Sequence, residues 1–271
     1  MNKYLLSCFV LLVSFPLFAQ ISEGGLPPSF GYVNSTRLTS TEPEAHVYKL
    51  EENIVKLKLE DAIVEENGGP VRVAAVIPAI IDLLQSGEWS TLPNGQKICR
   101  MAIKSPDANG IILSYTDFYI PEGGKLFIYN ADKNQVLGAY THITNRDGKD
   151  FSTEIVSGDE LILEYVNSQN EDPPRIKIRD IGYVYSDYKN TTRDEIGFGK
   201  SKSCEVNINC SEGANWQRQK RGIARTFTRI GNAWYACSGT LINNTNEDFI
   251  PYYLSAYHCF FTSINTADFD T

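Results

Sequence analysis

Short apolar runs with alternating side chains fill the middle of the chain. They are rich in β-branched and aromatic residues, and turn sequences such as Pro121-Glu122-Gly123-Gly124 separate them. Several short strands spaced at roughly ten residues are typical of a β-sandwich or jelly roll. The pattern therefore predicts an all-β, jelly-roll-like β-sandwich over residues 71–190, with strands at 71–77, 96–103, 110–119, 126–129, 135–141, 151–156, 160–166 and 176–185.

The flanking segments follow other patterns. Residues 20–45 are rich in Pro, Gly, Ser and Thr, which predicts an extended arm or linker. Residues 47–64 carry apolar side chains at mixed spacing: a helix fits the start, whereas residues 55–59 alternate like a strand, so both interpretations stay open. Residues 186–203 are polar and rich in Gly, Ser and Lys, which predicts an exposed boundary before a second domain.

The N-terminus has the features of a secretory signal peptide. Lys3 supplies a positive charge, residues 4–17 form a short apolar run, and Ala19 is a small residue before a cut at Gln20. A retained membrane anchor is the alternative. Because no later segment reaches the roughly 18 apolar residues that a membrane span needs, we expect a secreted protein without a membrane span.

Composition narrows the function classes. Hydrophobic residues make up 42% of the chain and charged residues 21%, which is typical of globular domains. The net charge is −8, and no block of Lys and Arg alternates with aromatic residues, so we expect no nucleic-acid partner. The acidic excess is interpreted as a solubility feature.

Cysteine and histidine positions argue against a metal or cofactor site. Four of the six cysteines fall between residues 204 and 259, without any Cys-X-X-Cys pair, which favours disulfides in the exported C-terminal part over structural zinc. Cys99 lies alone among apolar neighbours and is interpreted as a buried free thiol. His46 and His142 are isolated and are interpreted as surface or packing residues.

The pattern that carries chemistry lies at residues 237–259. Cys237-Ser238-Gly239-Thr240-Leu241-Ile242 precedes a polar turn, and Leu254-Ser255-Ala256-Tyr257-His258-Cys259 follows it. This predicts two paired strands with one cysteine on each, within reach of a disulfide. A histidine held beside that bridge suits the general base of a serine nucleophile, although a core histidine next to a disulfide would explain Ala-Tyr-His-Cys alone.

Taken together, these residues resemble a known family. Residues 237–259 resemble the first-barrel signature of chymotrypsin-like serine proteases, in which Cys-Gly-Gly-Ser-Leu-Ile precedes Thr-Ala-Ala-His-Cys. Residues 203–210 (Ser-Cys-Glu-Val-Asn-Ile-Asn-Cys) and 239–245 are similar to bacterial lysyl endopeptidases, and residues 100–106 and 124–129 are similar to their pro-region. Where that pro-region usually has tryptophan, this chain has Cys99.

The resemblance implies a role for each matching residue. His258 matches the catalytic base, and Cys237 and Cys259 match the disulfide beside it. Cys204 and Cys210 match cysteines that pair with partners further along the family's chain. The implied protein is a serine endopeptidase precursor that acts on protein or peptide substrates without a cofactor. Its pro-region would pack on its own protease domain.

The triad is incomplete in these residues. Asp268 and Asp270 follow His258 too closely to match the family's aspartate, Ser238 lies within the strand signature, and no Gly-Asp-Ser-Gly-Gly-like motif occurs. We therefore expect an inactive, truncated precursor with the incomplete first barrel of a double β-barrel. Its expected parts are a signal peptide (1–19), an N-terminal pro-segment (20–70), a β-sandwich pro-domain (71–190), a linker and processing region (191–203) and a truncated protease domain (204–271).

Two further hypotheses remain open from the sequence. The first is a secreted β-sandwich that serves in binding or adhesion and carries a disulfide-linked tail. The second is a protease homologue that has lost its activity. For the endopeptidase, cleavage near residues 198–202, after Lys200 or Lys202, would separate the pro-region from the enzyme.

Overall fold

A computed structural model describes residues 22–32, 42–67, 69–145, 148, 150–168, 172–187, 208–246, 248, 250 and 252–260. Strands dominate these residues, which confirms the predicted all-β class. The expected signal peptide (1–19), the expected processing region (191–203) and Cys204 lie outside the described residues.

The strands of the described chain form two sheets. The first has the order β1 (Ala45–Val47), β4 (Lys97–Lys104), β10 (Glu160–Val166), β6 (Lys125–Asn130) and β7 (Val136–Tyr140), with β3 (Glu88–Thr91) also paired to β4. The second has the order β12 (Ile223–Ile230), β13 (Ala233–Ile242), β2 (Val71–Asp82), β11 (Arg175–Val184), β5 (Gly110–Tyr119) and β8 (Phe151–Ser152), with β14 (Tyr252–Ser255) on β13 and β9 (Val156–Ser157) on β5.

The main core lies between the two sheets. Ile128 and Leu163 from the first sheet belong to the same buried cluster as Leu113 and Ile181 from the second, and all four are 0% exposed. The alternating pattern of the sequence produces this core because successive side chains of a strand point to opposite faces. The two facing sheets agree with the predicted sandwich.

The N-terminal arm covers the outer face of the first sheet. Phe30 and Tyr32 pack against a second buried cluster that contains Phe127 and Tyr129. The arm also exchanges backbone hydrogen bonds with β7, because the Glu23 amide donates to the Ala139 carbonyl at 2.9 Å. Residues 22–32 of the expected arm are therefore packed on the sandwich.

The segment that the sequence left open is a helix, α1 (Ile54–Glu66). Asn53 caps its N-terminus, since the side-chain oxygen accepts hydrogen bonds from the amides of Val55 and Lys56. Only Leu57 of the helix is buried. Two short helices complete the helical elements of the described chain, α2 (Leu83–Ser86) and α3 (Gln217–Lys220), together with 3-10 turns at Pro28–Tyr32, Ser211–Trp216 and Tyr257–Cys259.

The C-terminal strands continue the second sheet of the sandwich. β13 pairs with β2, so β12, β13 and β14 extend that sheet, and no closed barrel forms among the residues that are described. No helix of the described chain is long and apolar enough to cross a membrane.

Candidate active-site segment

The hairpin of β13 and β14 positions the candidate residues. It is antiparallel, with register from Gly239 opposite Ser255 to Ile242 opposite Tyr252. In the loop between the strands, Asp248 accepts hydrogen bonds from the Asn244 side chain at 2.6 Å and from the Ile250 amide at 3.0 Å. The bond from Asn244, followed by the one from Ile250, lowers the pKa of Asp248. The polar turn expected from the sequence is thus internally hydrogen-bonded.

A glycine allows a tyrosine to tie three strands together. Tyr253 on β14 donates a hydrogen bond from its hydroxyl to the Ala224 carbonyl on β12 at 3.2 Å. Gly239 lies between these strands, opposite Ala224 on one side and Ser255 on the other. A Cβ at Gly239 would come within 2.6 Å of the Tyr253 hydroxyl oxygen. The Tyr253 side chain can therefore pass over β13 to reach Ala224 only because residue 239 is glycine.

A disulfide joins Cys237 on β13 to Cys259 in the turn after β14. Their Cα atoms are 5.8 Å apart, and Cys259 is 3% exposed. Two hydrogen bonds support the same corner: the Ser255 hydroxyl donates to the Ser238 carbonyl at 2.7 Å, and the Cys259 amide donates to the Ala256 carbonyl at 3.0 Å. The backbone around the cysteines is therefore fixed from both sides.

His258 is the middle residue of this turn, Tyr257–Cys259. The sequence placed it at a strand end, and its backbone lies three residues past Ser255, the last residue of β14. Its side chain lies outside the described residues. The structure therefore locates the backbone of the candidate base directly beside the disulfide.

Of the other candidate residues, the structure describes Ser238 and Cys210. Ser238 is an exposed member of β13, opposite Arg225 in the ladder, and does not lie on a strand-to-helix turn. Cys210 is an exposed free thiol at the start of the turn Ser211–Trp216. Asp268, Asp270, Lys200 and Lys202 lie outside the described residues.

The lone residues of the sandwich are placed as expected. Cys99 is a buried free thiol, and burial, followed by the charge of Asp82, raises its pKa to about 12. His46 and His142 are exposed. Among the described residues, no group of three or more His, Cys, Asp or Glu side chains could hold a metal ion.

Comparisons with known proteins point to one family. The family model described as "Lysyl endopeptidase, C-terminal domain" matches residues 198–271. The chain is also 29% identical over 190 residues to the lysyl endopeptidase of Pseudomonas aeruginosa. The chain is similar to lysyl endopeptidases over these residues. This confirms the resemblance that the sequence motifs indicated.

The matched residues cover only part of the relative. The alignment includes 64% of this lysyl endopeptidase-like chain and 39% of the Pseudomonas aeruginosa protein, so the chain spans about two fifths of the length of the curated relative that it matches. The family model covers the disulfide, His258 and all three C-terminal strands. The candidate residues thus fall inside the region of family similarity.

Sequence reasoning missed the residues that connect the matched region to the sandwich. Trp234 on β13 lies against Gly182 of β11. Arg229 on β12 forms an ion pair with Asp180 of the same strand β11. The sequence predicted a strand through Cys237, but nothing in the local pattern indicated which strand of the sandwich it would join.

Proposed function

We propose that the chain is part of the precursor of a secreted serine endopeptidase of the lysyl endopeptidase type, with His258 as the general base. The sandwich serves as the pro-region and packs on the protease part, which begins within residues 198–271. The family match to residues 198–271 and the similarity to the Pseudomonas aeruginosa lysyl endopeptidase support a protease-like hydrolase function. The substrate class is protein or peptide, cleaved after lysine.

The disulfide beside His258 is the observation that carries the proposal. General-base catalysis requires the imidazole within hydrogen-bond distance of the serine hydroxyl, in an orientation held by a carboxylate. The backbone of His258, held between a strand and a buried half-cystine, supports a fixed position for such a base. A disulfide also suits a protein that is exported to an oxidising compartment.

The chemistry requires two partners for His258. In the proposed reaction, the imidazole accepts the proton of the serine hydroxyl as it attacks the scissile carbonyl, and returns it to the leaving amine. We assign neither the serine nor the aspartate within these 271 residues. A base without a nucleophile has nothing to activate, so the 271 residues alone are expected to be inactive.

Processing would separate the two parts of the precursor. Lys200 and Lys202 lie at the start of the family match, where a lysine-specific enzyme could cleave itself. N-terminal sequencing of the secreted, mature protein should find a start within residues 198–204. A start far from this segment would remove self-cleavage at these lysines.

Substitution of His258 in the complete gene product that contains these residues tests the function. The His258→Ala variant should lose kcat/KM toward a peptide with lysine before the scissile bond by about 10⁴-fold or more. The matched control is His142→Ala, because His142 is exposed on the sandwich. Unchanged hydrolysis in His258→Ala would contradict the proposal.

A second measurement separates an enzyme from an inactive homologue. A fluorophosphonate probe labels an activated serine, so the wild-type gene product should be labelled and His258→Ala should not. A folded wild-type product that is neither labelled nor active on lysine peptides would favour the inactive homologue. Comparison of lysine and arginine peptides then tests the specificity.

A further inference from the structure

One edge of the sandwich is occupied by the lysyl endopeptidase-like segment. β13 pairs antiparallel with β2 from Ala233 opposite Ala75 to Ala236 opposite Val71. The pairing extends into the preceding turn, because the Val76 amide donates a hydrogen bond to the Asn232 carbonyl at 3.1 Å. The hairpin of β12 and β13 is therefore added to the sandwich as a continuation of its sheet, the arrangement known as β-augmentation.

The pairing surface has a defined end. Pro78 lies in β2 just beyond the paired residues and has no amide hydrogen to donate. Two residues further along the same strand, Ile80 is fully exposed, at 101%. Residues 71–76 are thus the part of the β2 edge that accepts a strand.

An indole and a glycine fit together across this junction. Trp234 on β13 is 4% exposed and belongs to a buried cluster with Ile112 and Val184 of the sandwich. A Cβ at Gly182 on β11 would lie 3.0 Å from the indole Nε1 and 3.0 Å from the Ile112 Cβ. The absence of a side chain at Gly182 therefore makes the space in which Trp234 lies.

A charged pair also joins the two parts. The Asp180 carboxylate on β11 forms ion pairs with Arg229 on β12, at 3.2 Å, and with its neighbour Arg179, at 3.1 Å. The side chains of Asp180 and Arg229 are 3% and 17% exposed. A carboxylate so far from water needs its cationic partners, because a buried charge without compensation is strongly destabilising.

We infer that the β2 edge, with Gly182 and Asp180, is a strand-acceptor surface for residues 223–242, and that it keeps the two parts of the chain associated after the connection between them is cut. Backbone pairing supplies the affinity, and the indole and guanidinium set the register. A strand edge carries one row of donors and acceptors. While β2 is paired with Ala233–Ala236, no other strand can pair with that edge of β13. The inference does not depend on peptidase activity.

The test uses the full 271-residue chain with one engineered cleavage site. Residues 191–197 are replaced by the recognition sequence of a site-specific viral protease, and the chain is cut under native conditions. The cut chain should elute from a size-exclusion column as a single species at the volume of the uncut chain, and it should separate into two only in denaturant. Separation of the cut wild-type chain in native buffer would overturn the inference.

Two variants on opposite sides of the junction test the assigned contacts. Gly182→Val fills the space of the indole, and Arg229→Gln removes a partner of Asp180. Each should raise the dissociation constant of the cut parts at least about tenfold. Ile80→Ser is the matched control, because it changes an exposed residue of β2 outside the pairing surface.

Folding of the variants is checked before cutting, by circular dichroism and urea unfolding of the intact chain. If Gly182→Val does not fold, Arg229→Gln decides the question, since Arg229 lies on β12 and Arg179 still pairs with Asp180 at 3.1 Å within the sandwich. Dissociation constants of folded variants equal to that of the wild type would refute the assignment of the surface. A tenfold weakening in Ile80→Ser would refute it equally, because the effect would then not be specific to the junction.

Discussion

Replacement of Glu164 by Gln tests how the N-terminal arm is held on the sandwich. Glu164 lies on β10 and is 0% exposed. One carboxylate oxygen accepts the Ser29 amide at 3.0 Å, and the other accepts the hydroxyls of Ser29 at 2.5 Å and Tyr129 at 3.1 Å. Arg100, which is 5% exposed, lies directly opposite Glu164 on β4.

The magnitude follows from these contacts. A glutamine keeps one acceptor oxygen, so it can still accept the Ser29 amide, while its amide group faces hydroxyls that can rotate to accept. Each hydrogen bond then loses the share that came from the charge, about 1 kcal/mol, and Arg100 loses a negative neighbour. The desolvation cost of the buried carboxylate disappears at the same time. We expect a net loss of about 2 kcal/mol in the free energy of unfolding.

Urea unfolding followed by circular dichroism measures this change. The Glu164→Gln variant should have a lower midpoint with an unchanged slope, and hydrogen exchange should become faster in residues 22–32. The control is Glu160→Gln on the same strand, where the carboxylate pairs with Lys104 at 3.0 Å and both side chains are partly exposed. That surface pair contributes at most about 1 kcal/mol. A loss in Glu164→Gln no larger than in Glu160→Gln would refute the role of the buried network.

Two other predictions concern single residues. Because burial and Asp82 raise the pKa of Cys99 from 9.0 to about 12, the thiol keeps its proton longer in the folded chain than in the unfolded one; its contribution to stability is complete below pH 9 and is lost as the pH rises through about 12. A thiol reagent at pH 8 should therefore label Cys210 but not Cys99 without urea, and equal rates with and without urea would contradict the burial. Gly239→Ala should destabilise the C-terminal hairpin by about 1–3 kcal/mol, measured by thermal unfolding, because its Cβ meets Tyr253. Gly31→Ala is the control, since a Cβ there meets no atom within 4 Å, and equal stability of both variants would contradict the crossing.

The sequence determined most strands of the sandwich. The predicted runs 110–119 and 160–166 coincide with β5 and β10, and the run 96–103 differs from β4 by one residue at each end. These strands are long and rich in β-branched and aromatic residues, so propensity and burial favour the same structure. The sequence also located His258 between a strand and a cysteine, because a motif of adjacent residues needs no long-range information.

The local pattern of apolar residues did not decide the structure of two segments, residues 55–59 and 151–156. Helix α1 contains residues 55–59, whose alternation resembles a strand, but Val55 and Leu59 are exposed at 68% and 63%. Its N-terminus is set by the Asn53 cap. The run 151–156 is divided into β8, which pairs with the middle of β5, and β9, which pairs with the start of β5. Pairing with a neighbouring strand decided these bounds.

Only the tertiary structure decided which strands meet. The sequence predicted a strand through Cys237, but backbone donors and acceptors are the same whatever the sequence of a strand edge. The choice of β2 depends on a missing side chain at Gly182 and a buried charge at Asp180. Both lie on β11, about fifty residues before Trp234 and Arg229 in the sequence. Their effect on strand pairing arises only when folding brings the indole of Trp234 next to Gly182 and the guanidinium of Arg229 next to Asp180.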